Sequence, residues 1–294
     1  MVRYGTTSAS AAEWMEFIAS DQGYFKAEDL DVQITFTGNN TAVVQQLIGG
    51  SFDLGQSTFE TTIRAVDKGA PIAMIGATMI KYSYSIMAQK DIKSVKDMKG
   101  KRIILALPKS ALTVFWNRAV EQAGMKPSDV EQVYDGSTPN RYAALVSGTV
   151  QAAGLTQPID LLAMDKGYNK IVDVTKVAKN FGFTDIVATR AWLKAHGDTA
   201  KAFMRATKKA TDFFYDKKNR QAAISSLLKH SKIDAESAAK TYDYYVNDLM
   251  PYEVNVDADE NYVKAVAQLL IDIGDKPAGT IDVSKYADRS FLPK

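Results

Sequence analysis

The residues of this chain whose type and spacing could do chemistry are mostly helix-starting groups. Ser10 with Glu13, and Ser57 with Glu60, have the S-x-x-E spacing in which a hydroxyl and a carboxylate cap a helix start reciprocally. Asn39-Asn40 and Ser110 are good N-cap types. Each follows a strand-like segment. In an open α/β sheet the edge after the strands is where ligands bind, and the free amides and positive dipole end of a helix start favour an anionic group there. Every helix needs a cap, so only the convergence of these starts at one edge would make a site. A second set is aromatic: Trp14, Tyr82, Tyr84, Trp116 and Phe183 fall near expected loops or crossovers, where flat amphipathic rings suit a pocket. Trp116, in the middle of a helical pattern, reads as core instead. Lys81, Lys109, Arg141 and Arg190 are the cations that could meet an anionic ligand.

Catalytic signatures are missing. The sequence contains no H-E-x-x-H, no G-x-S-x-G, no P-loop and no G-x-G-x-x-G after a strand. Its two histidines, His196 and His230, stand in lysine-rich helical surroundings and read as solvated surface residues. The absence of cysteine removes disulfides, thiolate nucleophiles, iron-sulfur clusters and sulfur-ligated zinc. No enzyme activity, cofactor or metal is therefore expected. The 36 basic and 34 acidic residues are spread along the chain with no basic run, which argues against nucleic acid as a partner.

The elements that would position these residues alternate. Periodicity predicts strands over 1–6, 32–36, 52–55 and 71–79 with helices over 10–22, 40–48 and 57–68 between them. A second run has strands over 85–89, 102–107, 131–134, 151–155, 170–173 and 185–189, and helices over 95–99, 110–123, 140–147 and 159–165. Helices near 191–215, 220–230, 235–249 and 259–273 complete the chain. Such alternation predicts parallel strands, right-handed crossovers and helices on both sheet faces. With 294 residues, two lobes are expected. One internal echo supports two similar units: residues 47–54 and 145–152 both read as a helix end, a glycine stop and a buried strand. The longest apolar stretch, 71–80, is far short of the roughly 20 residues that span a bilayer. Met1-Val2-Arg3-Tyr4 runs directly into a strand, as in a cytosolic protein or one whose signal peptide has been removed.

Ala19-Ser20-Asp21-Gln22-Gly23-Tyr24-Phe25 with Leu30-Asp31-Val32 resembles the A-x-x-x-G-Y-F...L-x-V opening of the substrate-binding proteins of ABC importers of the sulfonate, nitrate, taurine and thiamine-pyrimidine type. Gly49-Gly50-Ser51-Phe52-Asp53-Leu54-Gly55, the segment 92–101 and the segment 145–151 match further landmarks in order, and Gln151 departs from the acid usual in the last. The resemblance covers residues 2–194. It implies a type II periplasmic-binding fold: two α/β lobes, lobe 1 from 1–83 and 185–294 with the C-terminal helices and lobe 2 from 84–184, joined by crossover strands at 82–85 and 184–187 that act as a hinge. It also implies a monomeric, periplasmic protein, membrane-tethered if a lipoprotein cysteine has been trimmed, which closes on a small-molecule ligand and delivers it to an ABC permease in the inner membrane. Carried over position by position, the ligand contacts would be Ser8, Ser10 and Trp14, then Asn39 and Asn40, then Gln56, Ser57 and Thr58 in lobe 1. In lobe 2 they would be Pro108, Lys109 and Ser110, then Asp135, Gly136 and Ser137, then Thr156, Gln157 and Pro158, with Tyr82 and Tyr84 at the crossover. A small organic anion such as a sulfonate or carboxylate, with an apolar or aromatic part, is the expected ligand. The alternatives are an enzyme of thiamine-pyrimidine synthesis on the same fold, disfavoured by the absence of cysteine and of any histidine before residue 196, and a ligand-sensing domain.

Overall fold

The computed structural model describes residues 1–178 and 181–293. Ten strands alternate with helices: β1 Val2–Thr6, α1 Trp14–Asp21, α2 Tyr24–Ala27, β2 Val32–Phe36, α3 Asn40–Ile48, β3 Leu54–Thr58, α4 Phe59–Asp67, β4 Ile72–Met79, β5 Tyr84–Ala88, β6 Arg102–Leu105, α5 Ala111–Gln122, β7 Glu131–Tyr134, α6 Thr138–Val146, β8 Ala152–Thr156, α7 Ile159–Asp165, β9 Asn169–Asp173, α8 Val174–Val177 and β10 Thr184–Thr189. The rest is helical: α9 Arg190–Ala195, α10 Gly197–Tyr215, α11 Arg220–His230, α12 Ala235–Tyr244 and α13 Glu260–Asp272.

The chain divides into two compact units. The first comprises Met1–Lys81, Asn180–Ala235 and Tyr242–Lys294, the second Tyr82–Lys179 and Glu236–Thr241. The first holds a sheet of order β2-β1-β3-β10-β4, the second a sheet of order β7-β6-β8-β5-β9. Both sheets are mixed, not parallel as expected. In the first, β10 runs antiparallel to β3 and β4, and in the second β5 runs antiparallel to β8 and β9. The reason is connectivity: β10 and β5 each follow a strand of the other sheet in sequence, so they enter their own sheet from the opposite direction.

The two sheets have the same topology, and the internal echo is real. Helices α3 and α6 are nine residues each and start 98 positions apart, as do the five-residue strands β3 and β8. Between helix and strand, Gly50 and Gly148 both take the left-handed conformation, at φ +77° and +76°, which glycine adopts without cost. The departure at Gln151 is explained by its counterpart. Asp53 accepts from the backbone N–H of Arg3 at 2.8 Å, and Gln151 accepts from the backbone N–H of Arg102 at 3.1 Å. The acceptor is retained and only the charge is lost, while Arg102 pairs with Glu131 instead.

Each unit has its own core. In the first, Trp14 sits against Phe214, Tyr242 and Tyr245 at ring distances of 5.0, 6.2 and 6.3 Å. In the second, Met87, Ile104, Leu145, Val150, Ala153, Leu155 and Ala163 pack together. Gly154 of β8 is required by close packing, since a Cβ there would lie 2.5 Å from Leu112.

Several boundaries differ from the periodicity. β3 continues to Thr58, so Ser57 is a strand residue and the cap of α4 is Thr58, whose Oγ1 accepts from the Thr61 amide. The expected Ser57–Glu60 capping box therefore does not form. Helix 191–215 breaks at His196 (φ −130°, ψ 35°) into α9 and α10. Helix 235–249 ends at Tyr244 and finishes in a wider turn, Tyr245–Leu249. The segment 95–99 is a tight turn of 3-10 type, Val95–Met98. The four-residue α2 and α8 are too short for a periodic signal. The expected second lobe, 84–184, includes positions 179 and 180, which lie outside the described residues. Among the described residues no helix is long and apolar enough to cross a membrane.

Candidate functional site

Parallel neighbours in a sheet deliver their following loops to one edge. In the first unit β2, β1 and β3 are such neighbours, so Ser8 and Ser10, Asn39 and Asn40, and Thr58 stand at a common carboxyl edge. In the second unit β7, β6 and β8 bring Pro108, Lys109 and Ser110, then Asp135, Gly136 and Ser137, then Thr156, Gln157 and Pro158 to the corresponding edge. Tyr84 joins them because it lies opposite Thr156 in the β5–β8 pair.

The first-unit loops are built on caps. Ser10 and Glu13 form the expected capping box: Ser10 Oγ accepts from the Ala12 amide at 3.1 Å, and Glu13 Oε2 accepts from the Ser10 amide and hydroxyl at 3.2 and 2.7 Å. Asn39 Oδ1 accepts from the Ala42 amide at 2.9 Å. Gln56 is buried and turned inward, donating to Ala12 O and Thr78 Oγ1 and accepting from Thr6 Oγ1. The Ser57 hydroxyl is buried without a hydrogen-bond partner.

Behind these loops lies a group of buried acids, of which the sequence singled out only Glu13. Glu13 accepts from Thr6 Oγ1 at 2.6 Å and Glu16 from Tyr4 Oη at 3.1 Å. Burial outweighs these hydrogen bonds and pushes the Glu13 carboxyl up to about 7 and that of Glu16, which also feels Glu13, up to about 8. Asp185 on β10 is fully buried, with neither oxygen in hydrogen-bonding geometry, and burial raises it to about 7 against the weaker opposing effect of Thr62. The S-x-x-E pattern marked Glu13; nothing in the local pattern marked Glu16 or Asp185.

The second-unit edge is aromatic and polar. Tyr82 and Tyr84 lie 5.1 Å apart, Tyr82 lies 5.8 Å from Phe115, and Tyr82 Oη accepts from the Leu112 amide at 3.0 Å. Ser110 caps α5 through the Thr113 amide at 3.3 Å, and Asp135 Oδ1 accepts from the Ser137 amide at 2.7 Å. Asp160, fully buried in the first turn of α7, accepts from Ser85 Oγ at 2.7 Å, Gln157 Nε2 at 2.8 Å and the Leu161 amide at 2.7 Å. Burial pushes its carboxyl up to about 6, against Ser85 and Lys170, which favour the charged form.

Four expectations are corrected by these contacts. Trp14 is a core residue, fully buried with its indole N–H donated to Ala223 O at 2.7 Å, so its polar handle is already used. Arg141 is not a cation held ready for an anion. It is 0 % exposed and donates to Gly154 O, Asp135 O and Thr138 Oγ1 at 2.6 to 2.7 Å, with its guanidinium 5.7 Å over the Tyr84 ring. Arg190 lies at the far end of β10 and donates to Lys285 O at 2.7 Å, tying down the C-terminal segment. His230 is only partly exposed: it stacks on Phe17 at 4.5 Å and stands 3.1 Å from both oxygens of Asp21, whereas His196 is exposed and stacks on Trp192. Trp116 is core, as expected, and Phe183 is buried in the first unit. Lys81 is half-buried, and Pro108 and Lys109 are exposed. Among the described residues no group of three or more acids and histidines could hold a metal ion.

Comparison with known proteins gives the ancestry of this arrangement. The family model described as NMT1/THI5 like matches residues 14–221, more than half of the chain. The chain belongs to the NMT1/THI5-like family. The 4-amino-5-hydroxymethyl-2-methylpyrimidine phosphate synthase of Candida albicans is 26% identical over 67% of this chain and 62% of its own length. The putative binding protein YtlA of Bacillus subtilis is 24% identical over 66% of this chain and 60% of its own. The chain thus spans about three fifths of the length of these two relatives. Among solved structures, the periplasmic nitrate-binding protein NrtA from Synechocystis superimposes with a TM-score of 0.84 at 14% identity, covering 99% of this chain and 86% of that one. The alkanesulfonate-binding protein SsuA from Xanthomonas axonopodis, bound to MOPS, gives 0.74 at 20% identity, covering 92% of both chains. The fold of this NMT1/THI5-like chain is the periplasmic-binding-protein fold, as its sequence landmarks implied.

Proposed function

We propose that this NMT1/THI5-like protein is the solute-binding component of an ABC importer, which captures a small organic molecule with the loops at the carboxyl edges of its sheets and delivers it, outside the cytoplasm, to a membrane permease. The observation that carries the reading is the duplicated edge: two sheets of one topology, each gathering three loops built on capped or hydrogen-bonded helix starts. Such loops offer fixed donors, acceptors and shape, which is what selective binding needs. The likeness to nitrate- and sulfonate-binding proteins in fold supports it. For the ligand, Tyr84 and the half-buried polar groups Ser8, Asn39, Asn40, Ser137 and Thr156 are the proposed contacts. Arg141 is spent within its own unit, so an anion would be met by other groups, the backbone amides of the helix starts among them.

A second reading is favoured by the relatives named as pyrimidine phosphate synthases. It makes the protein an enzyme, and it must work without any cysteine and with only His196 and His230. A thermal-shift screen against sulfonates, nitrate, taurine, aromatic carboxylates, pyrimidines and flavins separates the two. Ligand at 100 times its dissociation constant raises stability by about 2.7 kcal/mol. A shift with one class and no change in the ligand supports the importer reading; consumption of a pyrimidine precursor supports the enzyme.

A further inference from the structure

We infer that Asp160 is a positioning residue that ties the antiparallel strand of its sheet to the helix after the third loop and so fixes that loop. The inference rests on the reading of those loops as ligand contacts. Asp160 touches three elements of its unit at once. Its Oδ2 accepts from Ser85 on β5 and from Gln157 in the loop between β8 and α7, and its Oδ1 accepts from the Leu161 amide of α7. Asp160, Gln157 and Ser85 are 0, 2 and 1 % exposed, so water cannot substitute for any of these bonds. Because the Gln157 amide nitrogen is committed to Asp160, the carboxylate decides which way that amide points.

The other unit also buries an acid beside its third loop, on the antiparallel strand, but with neither oxygen in hydrogen-bonding geometry. Asp185 of β10 lies directly opposite Ser57 of β3, the residue before the Thr58 cap of α4. Residues so paired in antiparallel strands project from the same face. The groups that act on Asp160 are Ser85 and Leu161 together with Lys170 and Asp173 of β9, with Lys170 Nζ at 4.0 Å. In the second unit a buried carboxyl thus links the hydroxyl of a strand residue, the loop amide and the helix start.

Hydrogen exchange read by mass spectrometry on the full chain, from pH 5 to 8 and corrected for intrinsic rates, tests this without any ligand. In Asp160→Asn, the amides of Gln157 and of residues 159–161 should exchange about tenfold faster, the equivalent of one hydrogen bond to a charged group, and lose their pH dependence, while α5 is unchanged. Ser85→Ala should give a smaller increase over the same residues, and it carries the test if Asp160→Asn does not fold. Unchanged exchange in Ser85→Ala, or an increase spread evenly over the unit, would overturn the role of Asp160. Failure of the solute screen with success here would leave the positioning intact and remove only its purpose.

Discussion

At the scale of single residues, the contacts of Arg141 and Trp14 decide what mutation will do. Arg141→Ala would strand the carbonyls of Gly154 and Asp135 in the core, each at about 1 to 3 kcal/mol, and should lower unfolding free energy by several kcal/mol in urea titration. Arg141→Lys should not restore it, because an ammonium cannot span three acceptors as a planar fork does. Trp14→Ala should cost about 3 to 5 kcal/mol through loss of core packing. Both residues were legible as chemically capable, yet their partners are not adjacent in sequence: Ala223 lies 209 positions from Trp14. Burial and partner choice are tertiary facts, which is why a cation and an indole that suit a pocket turn out to serve the frame. The Asp53–Gln151 equivalence, by contrast, was visible in the echo of the two segments once their spacing was noticed.

At the scale of elements, local chemistry was informative where the signal was strong. The capping box at Ser10, the cap at Asn39, and helix α3 with strand β2 follow from turn chemistry and periodicity alone. The cap of α4 was misplaced because Ser57 and Thr58 are both good N-cap types, and only pairing of β3 with β10 shows that Ser57 is still strand. This yields a test by denaturant unfolding: Thr58→Ala should lose about 1 kcal/mol, whereas Ser57→Ala, which removes a buried hydroxyl with no partner, should cost nothing or stabilise. The antiparallel β5 and β10 escaped the sequence reading because strand direction is set by connectivity, and alternation of β and α looks the same for either direction.

At the scale of the whole molecule, buried acids set the response to pH. Glu13, Glu16 and Asp185 have folded values raised to about 7, 8 and 7, above their ordinary range near 4. The fold therefore binds protons more tightly than the unfolded chain, and the stability this brings is present at low pH and lost as pH rises through 7 and 8. Salt-bridged Asp21, Glu28, Asp53 and Asp67 are lowered and act oppositely, losing their contribution as pH falls below 4. The melting temperature should thus be higher at pH 5.5 than at pH 8.5, and Glu16→Gln should raise it at pH 8.5 more than at pH 5.5. A melting temperature that climbs toward pH 8.5 would contradict this. The central claim is that the protein binds a solute and leaves it unchanged. Titration calorimetry with the solute found by the thermal-shift screen, followed by chromatography of the recovered ligand, tests it most directly. Saturable one-to-one heat with the ligand recovered intact is the predicted result; heat that continues after saturation, with a new compound in the eluate, would make the protein an enzyme and contradict the account.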